Sequence, residues 1–136
     1  LFGGGIALSK GFGTSGLTRW LGGELEFLVA LPTPVMLVGI CLSVTFLTEI
    51  TSNTATTALL MPVLAAVAGA TGAEPLLLMI PATLAASCAF MLPVATAPNA
   101  IVIGTGAVPP EAMARTGFAL NLIGIVPITF AVLLLL

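Results

Sequence analysis

The chain has 136 residues, of which 59% are hydrophobic and 6% charged, with a net charge of -2 and no histidine. This composition, with a mean hydropathy of +1.26, excludes a water-soluble globular domain and indicates an integral membrane protein in a lipid bilayer. Three basic residues cannot form the positive patch that nucleic acid requires, so we expect no nucleic-acid partner. Four stretches between charged residues each reach the roughly 20 residues that span a bilayer: 27–48, 50–73, 75–110 and 116–136.

The first 27 residues are predicted to hold two short elements. Residues 1–12 are typical of the end of a membrane helix, and because the chain opens at Leu1 without a leader, we interpret it as a piece of a longer polypeptide. Residues 13–27 are amphipathic and include Trp20 as an aromatic anchor. This pattern predicts an interfacial helix that lies along the membrane surface.

Residues 28–72 are predicted to form a re-entrant helical hairpin. Pro32 and Pro34 interrupt the backbone and leave two apolar helices at residues 35–50 and 55–68. At about 1.5 Å per residue these helices measure about 24 and 21 Å, which is short of the about 30 Å of hydrocarbon. Between them lies a polar tip, and non-helical backbone at that depth is tolerated only where protein or water covers it. Two full crossings, with the tip at the far surface, remain the alternative.

Residues 75–108 are predicted to form a broken transmembrane helix, interrupted between Pro93 and Pro98. A prolyl ring removes an intrahelical hydrogen bond and leaves carbonyl groups free to accept from a ligand or to coordinate an ion. Residues 116–136 then form a final transmembrane helix, which Pro127 kinks. The predicted fold class is therefore an all-α membrane protein.

Polar residues cluster at both interruptions, at Ser52-Asn53-Thr54-Ala55 and at Pro98-Asn99-Ala100. Hydroxyl, amide and carbonyl oxygens suit an alkali cation, whereas the amide nitrogens of a helix start suit an anion. A tip that contains both could hold Na⁺ beside a carboxylate. Such residues also join helices through interhelical hydrogen bonds. We assign that structural role to Thr56, Thr57 and Thr83, and a binding role to the Ser-Asn-Thr tripeptide.

These motifs resemble those of the divalent anion/Na⁺ symporters, a family that carries dicarboxylates, citrate or sulfate into cells. The resemblance rests on three segments: Leu1-Phe2-Gly3-Gly4-Gly5, Phe46-Leu47-Thr48-Glu49 with the tripeptide, and Ser87-Cys88-Ala89-Phe90-Met91-Leu92-Pro93-Val94-Ala95-Thr96 with Pro98-Asn99-Ala100. It implies one inverted-topology repeat at residues 1–136, the second of two, whose missing N-terminal repeat supplies the rest of the site. It also implies a homodimer in the plasma (inner) membrane.

The resemblance further implies roles for individual residues. The substrate-binding residues would be Ser52, Asn53, Thr54, Thr96, Ala97 and Pro98. The Na⁺ ligands would be Thr48, Thr51, Asn53 and Ala95, several of them through backbone carbonyls. Glu49 and Asn99 would support these groups without touching ion or substrate, although a carboxylate beside the tip could also ligate a cation or relay protons.

We therefore predict part of a secondary active transporter that couples Na⁺ entry to uptake of a divalent anion. A C4-dicarboxylate is the first candidate, and sulfate or citrate is the alternative. Because no Arg or Lys lies near either motif, co-transported Na⁺ and helix N-termini would have to balance the dianion. The alternative from another class is a non-transporting scaffold or assembly segment. We expect no enzyme activity, because Ser52 has no histidine to act as its base.

Overall fold

A computed structural model describes residue 7 and residues 10–11, 14–24 and 30–135. Regular secondary structure in these residues is entirely helical: α1 (Leu17–Glu24), α2 (Thr33–Ile50), α3 (Asn53–Thr71), α4 (Pro75–Ala85), α5 (Ala97–Gly104) and α6 (Pro110–Leu135). Three of these helices, α2, α3 and α6, are long and apolar enough to cross a membrane. The predicted class, an all-α membrane protein, is confirmed.

Both helices of the hairpin are longer than predicted. α2 is extended at its N-terminus, from residue 35 to Thr33, and α3 at both ends, from 55–68 to Asn53–Thr71. α2 begins at Thr33 because Pro34 fits the first turn of a helix, where its missing N–H is not needed. α3 begins at Asn53 because Ser52 caps it, with Oγ accepting from the Ala55 N–H at 3.1 Å. With 18 and 19 residues, the helices measure about 27 and 29 Å. Helix length alone therefore no longer separates a re-entrant hairpin from two full crossings.

Residues 86–96 separate α4 from α5, and we call this non-helical stretch the interruption. It begins earlier than predicted, because α4 ends at Ala85. Within it, the Ala95 N–H donates to the Leu92 carbonyl at 3.2 Å, which closes a turn with Pro93 at its second position. None of the residues of α5 is buried.

The final helix, α6, begins at Pro110 instead of residue 116 and continues past Pro127 to Leu135. Its buried residues lie one turn apart along a single face: Gly117, Asn121, Ile125, Thr129 and Val132. Large apolar side chains on the remaining surface are exposed, among them Ile123, Val126 and Phe130. Such a surface suits lipid or a neighbouring protein helix.

Helices α2, α4 and α6 pack against one another, while α3 packs against α4 and α1. Two side chains of α2 fix its register along α4. The Cys41 thiol lies 3.9 Å from the Pro81 carbonyl oxygen, and the Thr45 hydroxyl donates to the Ala85 carbonyl at 3.5 Å. Since both pairs have the same offset, α2 and α4 run parallel, and the C-terminal end of α2 reaches the interruption.

Most of the N-terminal predictions lie outside the described residues. This applies to nearly all of the predicted helix end at residues 1–12. α1 falls in the middle of the predicted interfacial stretch, and Trp20 is 60% exposed. Its placement at the membrane surface stays a prediction.

Candidate functional site

At the tip between α2 and α3, two oxygen atoms lie within hydrogen-bond distance of one fully buried hydroxyl, that of Thr48. Thr48 Oγ1 lies 2.7 Å from Asn53 Oδ1 and 3.0 Å from the carbonyl oxygen of Ala86, where the interruption begins. A hydroxyl, a side-chain amide and a backbone carbonyl are the hard, neutral oxygens that suit an alkali cation. Sequence reasoning identified Thr48 and Asn53 but missed Ala86, because a backbone carbonyl leaves no trace in the sequence.

The other polar residues of the tip face outward. Thr51, Ser52 and Thr54 are exposed, and Asn53 is half-buried. The Thr51 hydroxyl donates to the Leu47 carbonyl at 2.9 Å and contacts the Thr56 hydroxyl. Because Ser52 Oγ accepts from the backbone, its O–H can still donate to a ligand. These exposed hydroxyls lie at the N-terminus of α3, where the first helical amides have no intrahelical partner.

Glu49 lies behind the tip and bonds to the interruption and α6. Its carboxylate is 3% exposed. Oε1 accepts from the Met91 N–H at 2.9 Å and from Asn121 Nδ2 at 2.7 Å, while Oε2 accepts from the Leu92 N–H at 2.9 Å. Three donors around a carboxylate form short, charge-assisted hydrogen bonds that offset part of the cost of burying it. Glu49 therefore joins α2, the interruption and α6.

Asn99 bonds to the interruption from the side of α5. Its Nδ2 donates to the carbonyls of Ala89 at 2.9 Å and Leu92 at 3.0 Å. Leu92 is thus bonded at both of its backbone groups, through its N–H by Glu49 and through its carbonyl by Asn99. These two side chains stabilise non-helical backbone that would otherwise leave polar groups unpaired.

Helices α3 and α5 begin with the same kind of cap, although the sequence motifs align different residues of the two helices. Thr96 caps α5, because its Oγ1 accepts from the Asn99 N–H at 3.3 Å, as Ser52 caps α3. Thr96 is therefore the counterpart of Ser52. Asn99, which repeats the Asn of the tripeptide in sequence, lies two positions further into its helix than Asn53 and bonds to different groups.

Gly117 brings the backbone of α6 against the interruption. A Cβ atom at this position would lie 2.2 Å from the Phe90 carbonyl oxygen and 2.7 Å from the Met91 Cα, so a side chain cannot fit without movement. Sequence reasoning missed both Gly117 and Asn121. A signal existed for Asn121, since an amide within an apolar transmembrane stretch usually has a partner inside the protein.

The predicted ligands are brought together only in part. Hydrogen bonds join Thr48 to Asn53, but none within residues 30–135 joins the tripeptide to Ala95 or to the start of α5. Ala95 is buried at 6% exposed, whereas Ala97 and Pro98 are exposed. The three basic side chains, Lys10, Arg19 and Arg115, are exposed. In the described part of the chain, no group of three His, Cys, Asp or Glu residues could hold a metal ion.

Comparison with known proteins gives consistent matches. A family model described as "Sodium:sulfate symporter transmembrane region" matches residues 1–135. The chain is 52% identical over 132 residues to the sodium-dependent dicarboxylate transporter SdcS of Staphylococcus saprophyticus, and 52% identical over 132 residues to solute carrier family 13 member 2 of Rattus norvegicus. Both matches cover 97% of this chain, but 25% and 22% of the relatives. The chain thus spans about a quarter of the length of the curated relatives it matches.

Proposed function

Because the chain belongs to the divalent anion/Na⁺ symporter family, as the sequence motifs indicated, we propose that it forms part of a transporter that couples Na⁺ entry to uptake of a divalent anion. It is an integral, multi-pass protein of the plasma membrane. We propose a C4-dicarboxylate as the anion, since the relative SdcS is named a sodium-dependent dicarboxylate transporter. Sulfate or citrate would be the alternative substrate, because the family model is named for sulfate.

The contact between Glu49 and the middle of α6 is the observation that carries this proposal. Asn121, the partner of Glu49, lies near the midpoint of α6, about 16 Å from Pro110 and about 21 Å from Leu135. We propose that α6 crosses the bilayer, in which case the last turn of α2 would lie within the hydrocarbon region and not at its surface. This placement supports a re-entrant hairpin over two full crossings. Polar side chains at that depth are expensive and mark ion or substrate pathways.

The broken helix supports the same depth. α4 and α5 have 11 and 8 residues, so together they measure about 29 Å, close to one bilayer thickness. The interruption between them would then lie near the membrane centre, where irregular backbone is tolerated only if protein or water covers it. Glu49 and Asn99 bond to backbone groups of the interruption and so provide part of this cover. The arrangement supports one repeat made of a hairpin, a broken helix and a final span.

For the transported groups, we propose two sets of ligands that share Asn53. Na⁺ would bind at Thr48, Thr51, Asn53 and Ala95. The anion would contact the exposed tip and the start of α5, through Ser52, Asn53, Thr54, Thr96, Ala97 and Pro98. Within residues 30–135 no Lys or Arg forms a hydrogen bond with these positions, so Na⁺ and the two helix N-termini would have to balance the dianion.

The partners that we propose are an N-terminal repeat of inverted topology and a second protomer. Three quarters of each relative lies outside the match, which leaves room for a further repeat and a dimer scaffold. The exposed surface of α5 and the exposed apolar side chains of α6 are surfaces that such partners would cover. A non-transporting scaffold segment, the other candidate, gives no reason for the exposed hydroxyls at the capped start of α3.

The test is Na⁺-driven uptake of radiolabelled succinate into proteoliposomes that contain the full-length transporter with this chain. We expect Asn53→Ala to lower uptake at limiting Na⁺ by about 10-fold or more, because it removes an oxygen from the cation site. The matched control is Thr83→Ala, whose hydroxyl only bonds to the Met79 carbonyl within α4 and to Met61 of α3. Normal uptake by Asn53→Ala would contradict the site. Absence of Na⁺-dependent uptake by the wild type would favour the scaffold. Competition by citrate or sulfate identifies the anion.

A further inference from the structure

Asn121 on α6 is fully buried, yet only one end of its amide is bonded. Nδ2 donates to Glu49 Oε1 at 2.7 Å, whereas Oδ1 has no hydrogen-bond partner in the described structure. The orientation of the amide is unambiguous, because the carboxylate oxygen needs a donor opposite it. A buried amide with an unpaired oxygen is costly. The hydrogen bond to Glu49 is therefore the interaction that offsets part of the cost of burying Asn121.

Gly117, one turn before Asn121, brings the same face of α6 against the same peptide units. It lies in direct contact with Phe90 and Met91, and Met91 is also one of the residues whose N–H the Glu49 carboxylate accepts. α6 thus reaches the interruption twice, once through backbone contact and once through the Asn121–Glu49 pair. Both contacts lie on the buried face of the helix.

Asn121 is one of three donors that together set the orientation of the Glu49 carboxylate, beside the N–H groups of Met91 and Leu92. The terminal torsion of a glutamate is broad, so the plane of its two oxygens is fixed mainly by what they bond to. With Oε1 fixed by Asn121, Oε2 points at the Leu92 N–H, and Leu92 begins the turn that ends at Ala95. Glu49 directly follows Thr48 in the chain, so the bond between Asn121 and Glu49 also restrains the position of the Thr48 backbone.

We propose that Asn121 is a positioning residue for the Na⁺ site. Through Glu49, it fixes the turn at Leu92–Ala95 relative to Thr48 and Asn53, so the Ala95 carbonyl and the tip oxygens are pre-arranged for one cation. This role rests on the proposed function, because it assumes that Na⁺ binds at these oxygens. It makes α6 part of the cation-binding apparatus, in addition to being a membrane span.

The experiment uses Asn121→Ala in the full-length transporter, with two readouts of Na⁺ affinity. These are the Na⁺ half-saturation of succinate uptake and the Na⁺ concentration that gives half of the maximal thermal stabilisation. We expect both to rise about 10-fold, the lower end of the loss seen when a group that orients a metal ligand is removed. Glu49 keeps its two backbone donors, so the variant should fold and purify as a single species without Na⁺.

Thr129→Val is the matched control. Thr129 lies on the same buried face of α6, two turns after Asn121, and its hydroxyl has no hydrogen-bond partner in the described structure. Replacing that hydroxyl by a methyl group keeps the volume and removes no bond to Glu49 or to the interruption. We expect an unchanged Na⁺ half-saturation, which separates loss of the Glu49 contact from a general disturbance of α6.

A donor–acceptor exchange between the two positions provides the second test. Asn121→Asp places two carboxylates together, and Glu49→Gln places an amide against backbone donors, so each single change should raise the Na⁺ half-saturation. In Glu49→Gln/Asn121→Asp, the glutamine amide can donate to the new aspartate. We expect the double variant to need less Na⁺ than the product of the two single effects predicts, since residues in contact are not additive.

The outcomes separate the two proposals. A wild type without Na⁺-dependent uptake or Na⁺ stabilisation overturns the proposed function. A wild type that responds to Na⁺, with wild-type half-saturation in Asn121→Ala, overturns the positioning role alone. If Asn121→Ala does not fold, the exchange decides: a Na⁺ requirement of the double variant below that of Glu49→Gln supports the role, and an equal or higher one overturns it.

Discussion

The tip at Thr51–Ser52 and the interruption at residues 86–96 both place non-helical backbone between apolar helices, but their polar groups find partners in different ways. At the tip, Ser52 and Thr51 bond to groups three to five residues away. In the interruption, Glu49 bonds to residues 42 and 43 positions away in sequence, and to Asn121 across 72. The tip is thus closed by local bonds that leave its side chains exposed, whereas the interruption is fixed by long-range bonds that occupy its backbone.

This difference separates two tasks. An interruption whose backbone groups are bonded on both sides has little freedom to adapt to a ligand, so it suits a fixed frame. A tip whose hydroxyls remain exposed can exchange partners during a transport cycle. We therefore expect substitutions that remove bonds of the interruption to act on stability and, through the Leu92–Ala95 turn, on Na⁺ affinity, and substitutions at the tip to act mainly on Na⁺ and substrate.

Glu49→Leu should have the largest effect on stability. It leaves the N–H groups of part-buried Met91 and Leu92 and of buried Asn121 without an acceptor, and each unpaired buried donor costs about 1–3 kcal/mol. We expect a loss of about 4 kcal/mol in the free energy of unfolding. Reversible unfolding of the full-length transporter in mixed micelles measures it. Glu111→Leu, at an exposed site in the first turn of α6, is the control. A loss below about 1 kcal/mol would mean that the three bonds contribute little.

Gly117→Ala should follow, at about 1–3 kcal/mol, because overpacking forces backbone to move. The new Cβ atom would meet the Phe90 carbonyl at 2.2 Å, and neither atom belongs to a flexible side chain. Gly124→Ala is the control on the same helix, where the nearest atom is the Cys88 sulfur at 3.8 Å. That variant should be neutral or more stable by up to about 1 kcal/mol, since alanine favours helix. Equal stability of the two variants would contradict the close approach of α6.

The sequence predicted what depends on composition and on local signals. Apolar stretches, proline positions and the tripeptide were enough for an all-α membrane protein, for a break near Pro93 and for the family. Helix ends were less accurate, because capping by Ser52 extends α3 to Asn53 and the interruption begins at Ala86. Asn121 was missed because its partner is 72 residues away, and a single sequence contains no information on such pairs. The ligand roles of all the predicted site residues, Thr48, Asn53 and Ser52 included, stay predictions.

Asn99 and Asn53 allow a direct test of the difference between the interruption and the tip. Asn99→Leu removes two donors from the interruption, although the Leu92 carbonyl keeps its bond from the Ala95 N–H. We expect a loss of about 1–2 kcal/mol in stability with a smaller rise in the Na⁺ half-saturation than in Asn53→Leu. Asn53→Leu, at a half-buried position, should cost less stability and abolish most of the Na⁺ stabilisation. The same pattern of losses in both variants, by thermal unfolding with and without Na⁺, would remove the distinction.

Ser52 offers the smallest stability effect and the clearest separation of two roles in one side chain. Its oxygen caps α3, and its hydrogen is proposed to donate to the anion. Replacing an N-cap serine by alanine costs about 1 kcal/mol, but glycine costs only a few tenths, because glycine also suits the cap position. Ser52→Gly should therefore keep stability close to wild type while removing the hydroxyl from the site.

The KM for succinate uptake then measures the role of the Ser52 hydroxyl in anion binding, separately from its role as a helix cap. Loss of a hydrogen bond to a charged group, worth about 1.5–3 kcal/mol, should raise the KM for succinate by about 10-fold or more in both Ser52 variants. Because the two variants differ in stability but lack the same hydroxyl, equal KM values assign the effect to the anion. A KM that rises in Ser52→Ala and stays normal in Ser52→Gly assigns it to the cap. Thr96→Gly applies the same logic to α5, where Thr96 caps in the same way but belongs to the bonded interruption.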